Sequence, residues 1–271
     1  MANPSKVLYR TYILTLGICG LLLGCGPAKS GSEGTQVTGS PPEPGTCVGG
    51  PTSVSLGLFY ENPRTSSGNS TLPFSATLSS SMTVAGTLTG LSGNCLLQND
   101  RYSITYDSLY PQSVAKITSE SAVFSPLAPE FRQLNSFYYA TALRNLLVDS
   151  LGASLPGVIS IDSHCNQQDN AYFSPLAKRL CFGWHAAGAG KIVWAADDAD
   201  VVLHESGHAF NHYLTSTSIM NSSGEAGAID EGIADYWALT SLSDAELSEW
   251  FLGSIDSSLI RDANREIKYP D

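Results

Sequence analysis

The chain has 271 residues, 14 basic against 25 acidic side chains, a net charge of −11 and only 14% charged residues, where about 25% is usual. That balance, with no basic run longer than Lys178-Arg179, excludes a general nucleic-acid binder, because little is present to neutralise phosphates. A hydrophobic share of 42% with 12 Tyr, 9 Phe and 4 Trp excludes whole-chain disorder, and the length allows one domain or two small ones.

At the amino terminus Lys6 and Arg10 precede an apolar run, Ile13 to Leu23, which is the layout of an export signal and too short to span a bilayer as a helix. The run ends in Leu22-Leu23-Gly24-Cys25, which resembles the lipobox of bacterial lipoproteins. That resemblance implies a signal peptide over 1–24, lipid modification of Cys25, and a place in the cell envelope at the outer membrane or cell surface. Residues 25–46 are rich in Gly, Pro and Ser and read as a flexible tether, with a reach of roughly 25 Å as a random coil.

Four cysteines remain beyond the signal and the lipid site: Cys47, Cys95, Cys165 and Cys181. Export favours disulfides, and four cysteines allow three connectivities. Proximity favours Cys47–Cys95 and Cys165–Cys181, the second closing a short loop for a stabilisation of about 3 kcal/mol. The rival reading is a metal site from His164, Cys165, Cys181 and His185, disfavoured because neighbouring residues of an extended segment point to opposite faces.

Residues 47–125 read as β-rich. Val54, Leu56, Leu58 and Tyr60 alternate, as do Tyr102, Ile104 and Tyr106, between clusters of Gly, Asn and Ser. This region is either a module of its own or an extension of the second region, residues 126–271; an adhesin-like role is the weakest functional reading. In the second region Phe131, Leu134, Tyr138, Ala142, Leu143, Leu146 and Leu147 predict a helix that stops at Gly152. Strands are predicted at Val158–Ile161 and Lys191–Trp194, then a helix from Asp198-Ala199-Asp200, whose carboxylates suit its positive end.

That helix contains His204-Glu205-Ser206-Gly207-His208. Residues four apart share a helical face, so both imidazoles reach one ion while Glu205 stands beside them. Gly227 to Asp235 reads as a further helix with Glu231 and Asp235 one turn apart. His212 lies about 80° round the helix from His204 and is predicted to stay off the ion.

The two helices together resemble the thermolysin and fungalysin group of zinc metallopeptidases, in which HExxH is followed some twenty residues later by a helical Glu and an Asp four positions beyond. Here 23 residues separate His208 from Glu231. The resemblance implies Zn2+ on His204, His208 and Glu231, Glu205 as general base, Asp235 hydrogen-bonded to a ligand histidine, and a protein or peptide as substrate. It extends over roughly Phe131 to Asp271. Asn170 and Ala171 match a substrate-aligning edge strand, Arg261 matches an arginine lining the pocket beyond the scissile bond, and Asp200 matches a position that binds Ca2+ in some members. The implied fold is α+β: a zincin-like half-domain whose twisted sheet, ending at the Asn170 edge, lies over the HExxH helix, with the Glu231 helix crossing nearby.

Two departures accompany the match. Ser222 stands where the compared member has an oxyanion-stabilising Tyr, and the sequence stops at Asp271, short of a helical lobe that supplies a further stabilising His. Loss of such a donor can cost ~10²–10³ in rate. The leading expectation is therefore a lipid-anchored zinc endopeptidase, incomplete at its C-terminal side; the alternative is a non-catalytic zinc-binding lipoprotein of structural or peptide-binding role. The acidity is also localised. Residues 197–271 hold 15 acidic and 3 basic side chains, a place where cations would offset charge.

Overall fold

The computed structural model describes residues 47, 49–154, 157–215 and 224–264. The signal, Cys25, the tether and Ser222 lie outside the described residues. The fold is mixed α+β. Alternation in the first strand, β1 (Ser53–Leu58), puts Val54, Leu56 and Leu58 into the core, as a half-buried strand requires. β1 pairs antiparallel with β2 (Val84–Thr89), and a short helix α1 (Pro63–Ser67) lies between them in sequence, capped by the Asn62 side chain. Tyr60 and Tyr106, grouped with these apolar alternations by sequence, are each 49% exposed. Both lie just past the end of their strand, where the pleat no longer dictates direction.

Strands β3 (Leu97–Gln98) and β4 (Tyr102–Ile104) turn away from β1. β1 instead takes β5 (Ser121–Ala122) as its parallel neighbour. β4 then pairs in parallel with β6 (Ile159–Asp162), which pairs in parallel with β8 (Arg179–Phe182), and β7 (Ala171–Ser174) closes the sheet antiparallel to β8. The order is β3-β4-β6-β8-β7, with β7 at one edge. Residues on both sides of position 125 therefore build one sheet, and a single hydrophobic cluster runs from Val54 to Phe251. β9 (Trp184–Ala186) and β10 (Ile192–Trp194) form a separate antiparallel pair.

The helix predicted from Phe131 is α2 (Pro129–Arg144), extended by a wider π turn over Asn145–Ser150 and closed at Gly152, whose φ of 72° only glycine adopts without strain. Both disulfides form as proximity favours, Cys47–Cys95 and Cys165–Cys181. The Cys165–Cys181 bond consumes the thiols of the rival metal site. His164 is buried against Asp107 at 2.5 Å, whereas His185 turns to Asp169 at 2.6 Å.

Helix α3 (Ala199–Thr215) is buried all round as far as Asn211, packed on α2, on the edge strand β7 and on α4 (Glu225–Leu242). A helix buried on every side is an interior one, and this one carries Asp200, His204, Glu205 and His208 inside with its apolar residues. Val202, Leu203, Ala209 and Phe210 supply its apolar surface, each large side chain contributing about 1.5–3 kcal/mol. Gly207 sets how closely α3 meets α4: a Cβ there would stand 3.0 Å from Ala234 Cα and 3.4 Å from Trp237 Cδ1. Glycine costs about 1 kcal/mol in a helix interior, and the close approach is what it allows here. Past α4 come β11 (Glu246–Leu247), α5 (Phe251–Ile255) and β12 (Arg261–Asp262), with β12 antiparallel to β11.

Candidate metal centre

Because Gly207 lets the two helices touch, His204 and His208 of α3 face Glu231 of α4 directly. His204 Nε2 lies 3.0 Å from His208 Nε2 and 3.3 Å from Glu231 Oε2, and His208 Nε2 lies 3.5 Å from Glu231 Oε1. Each of the three residues offers one ligand atom within 4.8 Å of the others. Both imidazoles are buried, while the Glu231 side chain is 43% exposed, so the group opens to solvent on the α4 side.

The outer ring nitrogens face carboxylates. His208 Nδ1 is 2.9 Å from Asp230 Oδ2, and His204 Nδ1 is 2.8 Å from Asp235 Oδ1, although the second pair lacks the alignment of a hydrogen bond. A carboxylate at Nδ1 favours a proton there and leaves the Nε2 lone pair free. The two Nε2 atoms stand 3.0 Å apart, a hydrogen bond when one ring carries a proton there, and the same two atoms can face one ion. Two imidazole nitrogens and one carboxylate form a donor set that could hold a metal ion.

Electrostatics point the same way. Burial and Arg261 both lower the His204 pKa, yet Asp235 and Glu231 outweigh them and raise it to about 10. Burial alone would raise Glu231, but His204, His208 and Arg261 bring its carboxyl well below the usual range. Glu205 is buried beside the imidazoles, and burial lifts its pKa against the pull of His204 and His208. The carboxylates around His204 thus favour positive charge on its ring.

Asp235, expected to hydrogen-bond a histidine of the motif, stands 2.8 Å from His204 Nδ1. Arg261 enters from β12 and its guanidinium reaches Asp235 Oδ1 at 2.9 Å and Glu231 Oε2 at 3.4 Å, beside the histidines. Asn170 is exposed at the start of edge strand β7, its carbonyl accepting from Gly183 N–H at 3.1 Å. Gly183 permits that approach, since a Cβ would lie 2.4 Å from the Asn170 oxygen. Ala171 follows as the first residue of β7, opposite Phe182. His212 faces the rings of Phe173 and Tyr213, at 6.0 and 5.0 Å, and is not one of the ligand group.

Asp230 and Asn211 were not singled out by sequence. Asn211 donates from Nδ2 to Asp230 Oδ1 at 2.8 Å and to its carbonyl at 3.2 Å, which locks the carboxylate against His208. Helical spacing held the only signal, because Asn211 is three residues past His208 and so on its face. A surface depression of about 550 Å³ lined by Gly50, Thr52, Ser53 and Glu120 lies on the other sheet and shares no residue with this centre.

No protein-family model matches the chain, and no curated protein sequence matches it.

Proposed function

We propose that the protein is a zinc-dependent endopeptidase held in the cell envelope by a lipid on Cys25. The observation that carries this reading is the convergence of His204 Nε2, His208 Nε2 and Glu231 on one point, with a carboxylate behind each imidazole. The zincin-like character of the fold belongs to the same proposal, supported by an edge strand, β7, that packs against the helix bearing both histidines.

His204, His208 and Glu231 would hold the ion, which when bound supplies Lewis acidity toward a peptide carbonyl and toward a water molecule, whose pKa falls to about 7. Asp230 orients the His208 imidazole through its Nδ1, and Asp235 stands at the Nδ1 of His204. Glu205 takes the proton of the attacking water on its carboxylate and returns it to the departing amine nitrogen, the general acid–base part of peptide hydrolysis. Arg261 steadies Glu231 and Asp235 and offsets part of the negative charge that they share. An extended peptide is the substrate shape that fits, because among the described residues β7 pairs on one side only and its outer edge offers main-chain groups to a further strand.

The test is metal content together with hydrolysis of a denatured protein such as casein. One zinc per chain and an activity removed by Glu205→Gln are expected. A zinc-free protein, or hydrolysis that survives Glu205→Gln, would exclude the reading. Anchoring is tested separately: labelling with a fatty-acid analogue should mark the wild type and leave Cys25→Ala unmarked.

A further inference from the structure

The longest stretch of sequence without an Asp, Glu, Lys, Arg or His runs from Thr65 to Asn99, 35 residues. Strand β2 lies inside it. In the order β2-β1-β5, β2 pairs with β1 alone, so its far edge is open among the described residues. The end strands β3 and β5 are two residues long, β7 is four, and β2 is six. Native sheets guard a long open edge with Lys, Pro, a bulge or an inward charge. Val84-Ala85-Gly86-Thr87-Leu88-Thr89 has no charge and no Pro, and its register with β1 is unbroken over the whole strand.

The hydrogen bonding of β1 shows which groups of β2 point outward. Ser55 N–H donates to the Glu120 carbonyl at 2.9 Å, on the β5 side. Main-chain groups of alternate residues turn to opposite sides of a strand, so Val54, Leu56 and Leu58 turn theirs toward β2. Their partners are Leu88, Gly86 and Val84. Ala85, Thr87 and Thr89 are left with each N–H and C=O directed away from the sheet, and among the described residues nothing bonds to those groups. All three residues are exposed. On the other face Leu88 is buried, and Gly86 is held as glycine, since a Cβ there would stand 2.6 Å from Leu58 Cδ2.

We propose that β2 pairs with β2 of a second copy of the chain, antiparallel about a twofold axis at Thr87. That register sets Thr87 against Thr87 and Ala85 against Thr89 of the other copy. Each facing pair exchanges both its N–H···O bonds, so every outward group of both strands is satisfied. On the core side Gly86 comes opposite Leu88, and no two large side chains collide. On the solvent side Thr meets Thr, a favourable cross-strand pair. The three-stranded sheet continues into its twin as β5-β1-β2-β2-β1-β5.

Charge selects a second copy as the occupant. Each chain carries −11, so two copies repel over most of their surfaces, while residues 65–99 bring no charge to the contact. Asp100, which lines a depression with Thr89 and Gly90, is ion-paired with Arg144 at 2.9 Å. A twofold contact also requires one edge to complement itself, and the outward residues are centred on Thr87 as that symmetry demands. The pairing is independent of the zinc and lipid readings.

The test is cross-linking of the whole chain as isolated from its cells. Thr87→Cys places two thiols on the axis, across a Cα separation of about 5.5 Å, which a disulfide spans. Oxidation should give a dimer on a non-reducing gel. Ala85→Cys has no like residue opposite and should stay monomeric, whereas co-expressed Ala85→Cys and Thr89→Cys chains should join. In sedimentation from about 1 to 100 µM, a span that covers weak association, the wild type should show dimer. Thr87→Pro should abolish it and stay folded by circular dichroism, because the lost N–H faces outward on an edge strand. If that variant does not fold, Thr87→Lys decides, since it sets two like charges face to face. A wild type that is monomeric throughout, or no Thr87→Cys cross-link, overturns the proposal. So does an Ala85→Cys cross-link of equal yield, or a dimer that survives Thr87→Lys. A dimer formed only after deletion of residues 26–46 also overturns it, because the edge then belongs to the chain's own tether.

Discussion

Helix α3 carries two acidic centres one turn apart, and they are built on opposite principles. At His204 and His208 nitrogen donors face one carboxylate, with other carboxylates held at the back of each ring. At Asp200, joined by Glu61 and Glu249, there is no nitrogen donor, and carboxylates crowd one another directly. The first centre opens to solvent at Glu231 and the second at the half-buried Glu249, while Asp198 and Asp200 are fully buried. The difference lies in the donors: one group offers imidazole nitrogens with a carboxylate, the other oxygen alone.

The largest effect that would sharpen this contrast is catalytic. Glu205→Gln should lower casein hydrolysis by about 10²–10⁴-fold with zinc still bound, while Glu249→Gln should leave the rate per folded molecule near wild type. A lone Glu249→Gln collapse in rate at unchanged stability would break that contrast.

Next in size is the helix contact that shapes both ligand arms. Gly207→Leu forces a side chain into the Ala234 backbone and should cost about 1–3 kcal/mol in stability, read by urea unfolding, with a parallel fall in zinc affinity. An unchanged zinc affinity would show that Glu231 does not need the close approach. Asp230→Ala removes the carboxylate behind His208 and should weaken zinc binding by about 10–100-fold, measured by competition with a chelating dye. Asn211→Ala should produce a smaller loss in the same direction.

A further test is a pH slope confined to the carboxylate centre. Glu61 faces Asp198, Asp200, Asp244 and Glu249, with Arg64 close by, and burial raises its folded pKa to about 9 from 4.5. The folded state thus holds a proton that the unfolded state releases between those values. In metal-free protein this group favours folding below about pH 4.5 and loses that contribution as pH rises towards 9. Its slope is at most about 1.4 kcal/mol per pH unit. Asp107 runs the other way: burial raises its carboxyl, but His164 and Gln133 bring it below its ordinary value, so its contribution is present above the unfolded pKa and lost in acid. Unfolding midpoints of wild type and Glu61→Gln from pH 5 to 9, without metal, should converge at the acid end and diverge at the alkaline end. Parallel curves would remove Glu61 as the source.

These two centres also differ in how far sequence revealed them. His204, His208, Glu231 and Asp235 sit on two helices at spacings of four, so local periodicity carries their common faces. The second centre joins Glu61 to Asp200 and Glu249 through the folding of β1 against α2, and no local spacing records that. Asp230 and Asn211 fell between the two cases, since each is helical but gains meaning only when α3 and α4 touch. The same limit governs the sheets. Alternation marked Val54 to Leu58 and Tyr102 to Ile104 as strands, yet the pairing of β4 with β6, which places both sides of position 125 in one sheet, depends on long-range register. Residues just past a strand, such as Tyr60 and Tyr106, follow no alternation at all.

The role proposed for His204, His208 and Glu231, a zinc-binding and reactive centre, is tested most directly by zinc per chain. Mass spectrometry of the purified protein gives that number in wild type and in Glu231→Ala, each checked for folding by circular dichroism. One zinc is predicted in the wild type and a large loss in a folded Glu231→Ala. A folded wild type without zinc, or full zinc in Glu231→Ala, would contradict it.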